Sequence, residues 1–451
     1  MWGFTVDDAL ISVRYAHHVV SGVGWRFNAE GPSTDGVTPL PWVPLLAPLA
    51  RGDALSALAA AKSLGLVAWV ATGSALGAAM GGMERAPAWA RAAALATLAL
   101  SVPAAAYAVS GMETAVATSL ATAAVLLRRR ALLAAVVAGG AAAFRPELGL
   151  WAFVLAVGLA LAARSRPALV LGASLLAVAP FLACTLARTL AWGHPAPLAL
   201  LAKPSDLAHG VAYAGAACVV TLVPMLVLAP LALRRAPAAL AVVAAGIAHV
   251  VALVAVGGDW MPYARLMVPV LPSLAWAAAV ASEHAHPVAT GVRSLLALAL
   301  GGVLVARGGT DGRRVGGDRA ALIATARPLL ACFRHVASAD VGWVGAATDA
   351  DLVDLGGVTD PTIAVLPGGH TSKRIDARLL LERDTDALLL WAPAGLPEGG
   401  TEAWRRATYG HAVDARLAAD DVTARHFTAT AFLPLGANGA GYVLLRALPP
   451  D

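Results

Sequence analysis

Two adjacent carboxylates, Asp7 and Asp8, stand at the start of an amphipathic segment near the amino terminus. Paired acids can divide catalytic work, because one accepts a proton from a hydroxyl group while the other orients it or holds a cation. The same two residues also suit the first turn of a surface helix, where negative charge is favourable. We predict that Asp8 caps this helix and that Asp7 is free to act as a general base.

Three basic residues, Arg145, Lys203 and Arg265, lie far apart in the sequence but close to the ends of apolar runs. Each one alone fits an anchor at the membrane surface or a charge that settles topology. Together they also match cations that bind an anionic ligand such as a lipid phosphate, whose leaving oxygen gains charge in the transition state. They are therefore candidate ligands of a donor phosphate.

Other residues in the same segments are candidate substrate contacts, and some of them also have a structural explanation. Asp259 could equally cap the loop in which it lies. Glu113 could instead stabilise the positive end of the dipole of the helix that follows it. The set is Asp259, Trp260, His194, Glu113 and Arg14. No cofactor is certain, and the sequence leaves the participation of a divalent cation open. Turns and strand ends explain the carboxylates of the tail better than a metal site does; these are Asp349, Asp351, Asp354 and Asp360.

The elements that must position these residues are mostly apolar. The chain has 451 residues, of which 59% are hydrophobic and 14% charged, and its mean hydropathy is +0.70. A soluble domain carries about 25% charged residues, and here the charges concentrate after residue 306. This distribution excludes one large soluble enzyme and a disordered chain. It predicts a first external loop with interfacial helices at 1–60, a transmembrane domain at 61–306 and an extracytoplasmic α/β domain at 307–451.

Apolar runs predict about ten membrane-spanning helices. They lie at 61–80, 89–106, 112–127, 131–144, 147–163, 167–187, 211–233, 238–256, 266–282 and 288–306. Every second loop between these runs is short, and most of these loops are rich in Arg, which predicts that they are cytoplasmic. All candidate site residues then lie on the outer face. The net charge of +5 is then explained by membrane topology rather than by nucleic acid.

The tail after residue 306 has shorter apolar segments. Four of them predict buried strands, and the segment 373–383 between them predicts a helix. The predicted strands are Val341–Val344, Leu352–Leu355, Ala387–Trp391 and Tyr442–Leu445. We therefore expect a small α/β domain.

The segment from Asp7 to Trp42 resembles the first external loop of the GT-C membrane glycosyltransferases. It is most similar to the branch that contains the mycobacterial terminal β-(1→2)-arabinofuranosyltransferases. The motifs are Asp-Asp-Ala-Leu-Ile-Ser-Val-Arg-Tyr-Ala from Asp7, Gly-Val-Gly-Trp-Arg-Phe-Asn from Gly22, and Asp-Gly-Val-Thr-Pro-Leu-Pro-Trp from Asp35. In that family a transmembrane helix precedes this loop, so we expect either an upstream start or the loss of that span.

Further motifs of the same family follow in order, although the loop from Trp192 lacks the family's aromatic and Asn positions. They are Ser-Gly-Met-Glu-Thr from Ser110, Phe-Arg-Pro-Glu from Phe144, the loop from Trp192 to Lys203, Gly-Gly-Asp-Trp-Met-Pro-Tyr-Ala-Arg from Gly257, and Asp-Leu-Gly-Gly-Val-Thr-Asp-Pro from Asp354. The resemblance thus covers nearly the whole chain.

The resemblance implies a multi-pass enzyme of the inner (cytoplasmic) membrane with an extracytoplasmic tail. It implies inverting transfer of a sugar, with arabinofuranose suggested by the branch, from a polyprenyl-phosphate donor in the membrane lipid to an extracytoplasmic glycan, lipid or protein acceptor. Asp7 or Asp8 would be the base, and Arg265, Lys203 and Arg145 would hold the phosphate. The sequence lacks a P-loop and a dinucleotide-binding glycine motif, which fits a lipid-linked donor. The alternative is a transporter or flippase of a lipid-linked sugar, which needs ionisable groups within the bilayer.

Overall fold

The computed structural model describes residues 1–222, 229–308, 311–397 and 403–449. This part of the chain is mostly helical, with a mixed five-stranded sheet near the carboxyl terminus. Helices α1 to α7 are Asp7–Val20, Trp42–Leu46, Ala54–Gly81, Ala88–Ala99, Val102–Ala108, Thr114–Leu126 and Ala131–Phe144. Helices α8 to α15 are Gly149–Ala162, Pro167–Trp192, Leu198–Ala202, Leu207–Thr221, Pro230–Leu233, Pro237–Ala255, Leu271–Ser282 and Pro287–Gly308. Helices α16 to α21 are Asp311–Leu330, Val341–Ala347, Pro361–Ala364, Arg378–Glu382, Ala412–Ala419 and Asp421–His426. Short 3-10 helices are Ala47–Leu49, Pro146–Leu148, Arg265–Val270 and Ala403–Arg406.

Within these residues, five helices are long and apolar enough to cross a membrane, and six if the pair α4 and α5, bent by 57°, forms one broken span. The five are Ala54–Gly81, Pro167–Trp192, Pro237–Ala255, Arg265–Ser282 and a stretch within Pro287–Leu330. The length and composition of these helices indicate a membrane location.

The apolar runs of the sequence coincide with helices, but several of those helices are short. Thr114–Leu126, Ala131–Phe144, Pro146–Ala162 and Leu207–Thr221 have 10 to 17 residues. A helix needs about 20 residues to cross a bilayer unaided, so the count of ten spans stays a prediction. Part of the run 211–233, at 223–228, lies outside the described residues.

Small residues let the helices of the bundle approach closely. A Cβ atom on Gly139 would lie 2.6 Å from the Ala177 carbonyl oxygen, where α7 meets α9, and one on Gly158 would lie 2.8 Å from the Cβ atom of Ala241 in α13. The opposite face of α9 exposes leucines, among them Leu175 and Leu190. This face suits contact with lipid.

The five strands lie in the order β2-β1-β3-β5-β4. Strands β1 (His335–Ser338), β2 (Asp351–Asp354) and β3 (Ala387–Ala392) are parallel, and β5 (Gly441–Ala447) pairs antiparallel with β3 and with β4 (Phe427–Pro434). The sequence predicts β2, β3 and β5 but misses β1 and β4.

Two elements of the tail differ from the prediction. Val341–Val344 is not a strand: it lies in α17, because a connection between the parallel neighbours β1 and β2 has to cross over the sheet and does so as a helix. A short buried apolar run does not distinguish the two structures. The helix predicted at 373–383 is confined to α19, Arg378–Glu382.

Helix α1 joins the helical bundle to the tail. The side chains from Ala9 to Ala16 are all buried, and the same core cluster contains residues of α1, α3 and α17. The tail thus covers a face of α1 that the sequence, read as an amphipathic surface helix, leaves exposed.

Candidate functional site

The separate segments that the sequence places on one face line a common cavity of about 370 Å³, here called cavity A. It lies where α1, the loop 36–39, the turn before α6, the break between α7 and α8 and the loop before Arg265 meet. The predicted site residues in its wall are Asp8, Glu113, Arg145, Lys203, Asp259, Trp260 and Arg265.

Arg145 is held between two carboxylates in cavity A. Its Nη1 atom donates to Glu113 Oε1 at 2.7 Å, and its Nε and Nη2 atoms both lie 2.7 Å from Glu147 Oε1. Pro146 breaks the helix here, which directs Arg145 and Glu147 to the same place. Glu113 is 0% exposed, and its Oε2 atom has no hydrogen-bond partner among the described residues. The formal charge of this cluster is therefore negative, and the Oε2 atom of Glu113 is free to accept a hydrogen bond.

Arg265 forms an ion pair with Asp259, with Nε to Oδ2 at 2.7 Å. Burial alone raises the pKa of the Asp259 carboxyl, but the positive charges of Arg265, Lys203 and Arg145 outweigh burial and hold the pKa below its usual value. The second guanidinium contact is Nη1 to Met112 Sδ at 3.4 Å. The remaining Nη2 atom of Arg265 has no hydrogen-bond partner in the described part of the chain, which leaves one donor for a ligand.

The loop before Arg265 needs its two glycines. Gly257 and Gly258 have positive φ values of 83° and 74°, and a Cβ atom on Gly258 would lie 2.6 Å from the Cβ atom of Tyr213. Tyr263 and Ala264 also adopt positive φ values, 61° and 48°. Non-glycine residues in this region carry strain that the surroundings must offset, and such strain is concentrated at functional sites.

Lys203 is the cation of cavity A with no charged partner. No hydrogen bond or ion pair of its side chain occurs within the described residues. Trp260 lies beside it with 66% of its surface exposed, and one face of its indole ring stacks on His209 at a centroid distance of 4.1 Å. Lys203 and the open face of Trp260 are thus available to a ligand.

The two N-terminal acids have different contacts from those expected, because Asp8 does not cap α1 and Asp7 is not free of hydrogen bonds. Helix α1 begins at Asp7, its N-cap is Val6, and Asp8 makes no capping hydrogen bond. Asp7 instead accepts N–H bonds from Gly342 (2.8 Å, to Oδ2) and Trp343 (2.9 Å, to Oδ1) at the start of α17. Burial raises the pKa of Asp7 to about 6, although Arg319 and these bonds oppose the effect. Asp8 lines cavity A, and its carboxylate has no hydrogen bond or ion pair among the residues described.

The loop 36–39 is fixed by a residue pair that the sequence does not reveal. Arg188 of α9 donates to Asp35 Oδ2 at 2.8 Å and to the carbonyl oxygens of Val37 and Thr38. Both charged side chains are buried, and burial raises the pKa of Asp35 to about 6 against the effect of Arg188. The pair spans more than 150 positions, so no local pattern predicts it.

Two predicted contacts lie elsewhere. Arg14 donates to the carbonyl oxygens of Phe27, Gly345, Thr348 and Ala350, so its hydrogen-bonding capacity is used to attach α1 to the tail. His194 is not in the wall of cavity A, and its Nδ1 atom is 2.6 Å from the carbonyl oxygen of Ala196. Both residues therefore have structural contacts, and their contact with a substrate stays a prediction.

A second cavity of about 400 Å³, here called cavity B, opens next to cavity A. Asp8, Lys203, Asp259, Trp260, Ile11 and Val358 belong to the walls of both. The other side of cavity B is formed by the tail, which contributes Arg319, Asp340, His370, Thr371 and His411. None of these five residues stands in a recognisable local motif, so the sequence does not predict them.

An apolar groove of about 450 Å³ continues cavity A between α8, α9 and α13. Pro146, Glu147, Phe181 and Val256 line both. The groove adds Leu150, Phe153, Val178, Ala252 and Ala255. It leads from the charged cluster along helices that are candidates for membrane contact.

A metal site of three or more His, Cys, Asp or Glu side chains does not occur in the part of the chain that the structure describes. Comparisons of the chain with models of protein families, with curated protein sequences and with solved structures found no match.

Proposed function

We propose that the protein is an integral membrane glycosyltransferase of the GT-C type, with about ten spans, that transfers a sugar from a polyprenyl-phosphate donor to an acceptor hydroxyl outside the cytoplasmic membrane. The observation that carries the proposal is the position of Asp8. Its unpaired carboxylate borders two cavities at once, together with the unpaired cation Lys203. A transferase has to bring the acceptor hydroxyl next to a base and to the anomeric carbon of the donor, and a carboxylate that borders both cavities suits that arrangement.

Cavity A suits the donor. Its charged end holds Lys203 and the free Nη2 atom of Arg265, and its other end continues into the apolar groove. A polyprenyl phosphate has the same two parts, an anionic phosphate and an apolar chain. The paired state of Arg145 assigns it a different role from the one expected from sequence: it holds Glu113, whose free Oε2 atom is an acceptor for a hydroxyl group of the donor sugar.

The reaction is a single displacement. Asp8 accepts the proton of the acceptor hydroxyl, and the acceptor oxygen attacks the anomeric carbon. The bond from that carbon to the phosphate oxygen breaks, and the electron pair leaves with the polyprenyl phosphate. Lys203 and Arg265 stabilise the negative charge that develops there. Attack opposite to the leaving group inverts the anomeric configuration.

The location of the acids favours this proposal over a transporter or flippase. Proton-coupled transport uses ionisable groups inside the bilayer, yet the candidate spans Ala54–Gly81, Pro167–Trp192, Pro237–Ala255 and Arg265–Ser282 contain no Asp or Glu residue. The acids of the fifth candidate, Asp311 and Asp318, follow its apolar part. The acids gather instead at helix ends and in loops around the cavities. We propose that this side of the molecule, including the tail, lies outside the cytoplasm, because the sequence predicts that the short Arg-rich loops are cytoplasmic.

The test is donor kinetics in detergent with polyprenyl-phosphoryl arabinofuranose, comparing the wild type with Lys203→Gln. Loss of a hydrogen bond to a charged group costs about 1.5–3 kcal/mol, so the donor KM should rise by about 10- to 150-fold while the melting temperature stays constant. Lys203→Arg should recover most of the affinity.

Arg51→Gln serves as the matched control, since Arg51 is an exposed cation that lines neither cavity. It should leave donor kinetics unchanged. Equal donor KM values for Lys203→Gln and the wild type would contradict the assignment of cavity A to the donor.

A further inference from the structure

One wall of cavity B is formed by an edge of the sheet in the tail. Asp340 follows β1 and Gly356 follows β2, so the carboxyl ends of parallel strands form this wall. Strand β1 lies between β2 and β3 in the sheet. The chain passes from β1 to β2 on one side and then crosses back to β3 on the other side of β1. Ligands of open α/β sheets bind at such a switch in strand order, which marks cavity B as a binding site.

The side chains at this edge include hydrogen-bond donors that lack a ligand. The Nε and Nη1 atoms of Arg319 are shielded from solvent and have no hydrogen-bond partner among the described residues. His411 Nδ1 lies 3.2 Å from Asp414 Oδ2, which fixes the imidazole ring and leaves Nε2 free of that contact.

The charge state of His411 supports a donor role. Burial lowers the pKa of His411, but the hydrogen bond to Asp414 and the charges of Asp340 and Asp7 outweigh burial and raise the pKa to about 8. His370 differs, because burial and the nearby Lys203 lower its pKa to about 3. At neutral pH the cavity therefore contains one charged and one neutral imidazole.

Acceptors and an aromatic surface complete the cavity. Asp340 accepts a hydrogen bond from Tyr442 at 2.7 Å, and each carboxylate oxygen can accept more than one bond. The indole of Trp260 has one face on His209 and lies 6.4 Å from the ring of His370. Donors and acceptors around an exposed aromatic ring match a sugar, which has hydroxyl groups at its rim and an apolar C–H face.

We propose that cavity B binds a sugar residue of the acceptor, with its hydroxyl groups on Arg319 and His411, its apolar face on Trp260 and its reacting hydroxyl toward Asp8. This inference rests on the proposed function and adds to it the acceptor class, a glycan, and the residues of the tail that select it. The volume of about 400 Å³ lies within the range of small-ligand pockets, about 300–1,000 Å³.

The test measures binding of octyl glycosides without any donor, so that its outcome does not depend on sugar transfer. A panel of octyl arabinofuranoside, mannopyranoside and galactopyranoside is titrated against the full-length protein in a maltoside-free detergent. We expect at least one glycoside to bind the wild type and to bind His411→Gln and Arg319→Gln at least about tenfold more weakly.

Thr371→Phe provides a second kind of variant, because a larger side chain in the wall reduces the cavity without removing a charge. It should also weaken glycoside binding, and melting curves identify any variant that fails to fold. The controls are Arg425→Gln and His426→Gln, which change exposed residues of the tail away from cavity B.

If the folded variants and the wild type bind the glycosides equally well, the inference is overturned. It is also overturned if none of the glycosides in the panel binds the wild type. Donor kinetics run on the same preparations separate this result from the proposed function. Normal transfer kinetics with unaltered acceptor affinity in the variants would reject cavity B and leave the glycosyltransferase in place.

Discussion

At the scale of single residues, the charged side chains of the described residues differ in how completely they are paired. Arg14, Arg145 and Arg188 have their main donors occupied by carbonyl oxygens or carboxylates. Asp8 and Lys203 have no such partners within the described residues. Residue type alone does not distinguish the two groups, and the partners that do so come from distant parts of the chain.

The buried pair of Arg188 and Asp35 gives a stability prediction. Arg188→Leu leaves the carboxylate of Asp35 buried without its cation, which should lower the free energy of unfolding by about 3–5 kcal/mol. Chemical denaturation in detergent measures the change. The double variant Arg188→Leu, Asp35→Asn removes the unpaired charge and should recover part of the loss. A single variant as stable as the wild type would show that the pair does not fix the loop 36–39.

At the scale of elements, local sequence signals predict local structure well. The break at Arg145-Pro146, the turn at Ser110–Glu113 and the double glycine before Asp259 all occur where the sequence places them. Each depends on backbone properties of Pro or Gly that act over a few residues. The attachment of α1 to α17 was not predictable in this way, because Asp7 and its partner Gly342 are 335 positions apart.

The conformation of the loop at Gly257 and Gly258 predicts the effect of a substitution on stability and on the donor KM. Gly258→Ala forces a Cβ atom against Tyr213 at a positive φ, so the loop must shift and displace Asp259 from Arg265. We expect a loss of about 1–3 kcal/mol of stability and a donor KM raised at least severalfold, measured by melting and by transfer kinetics.

Gly291→Ala is the control for this change, because no atom lies within 4 Å of the added Cβ in α15. It should leave donor kinetics unchanged and slightly stabilise the helix. Unaltered donor kinetics in Gly258→Ala would mean that the loop conformation does not position the phosphate ligands.

At the scale of the whole molecule, the sequence predicts an apolar helical region and a tail with a sheet, and both are present. What it does not predict is how the two regions meet. The tail covers α1 and contributes a wall of cavity B, and this contact depends on tertiary packing between residues that are far apart in sequence. The contact explains why Asp7 holds the tail while Asp8 remains free between the cavities.

The role of Asp8 as the base of a sugar transfer is tested by measuring kcat for Asp8→Asn and Asp7→Asn with polyprenyl-phosphoryl arabinofuranose and a bound octyl glycoside. General-base assistance contributes about 10²–10⁴-fold, so Asp8→Asn should lower kcat by that factor with donor binding and melting unchanged. Asp7→Asn loses one of the two acceptors for the N–H groups of α17, so it should lower the melting temperature and reduce kcat less. Full activity of Asp8→Asn, or a larger loss of kcat in a folded Asp7→Asn, would show that Asp8 is not the base.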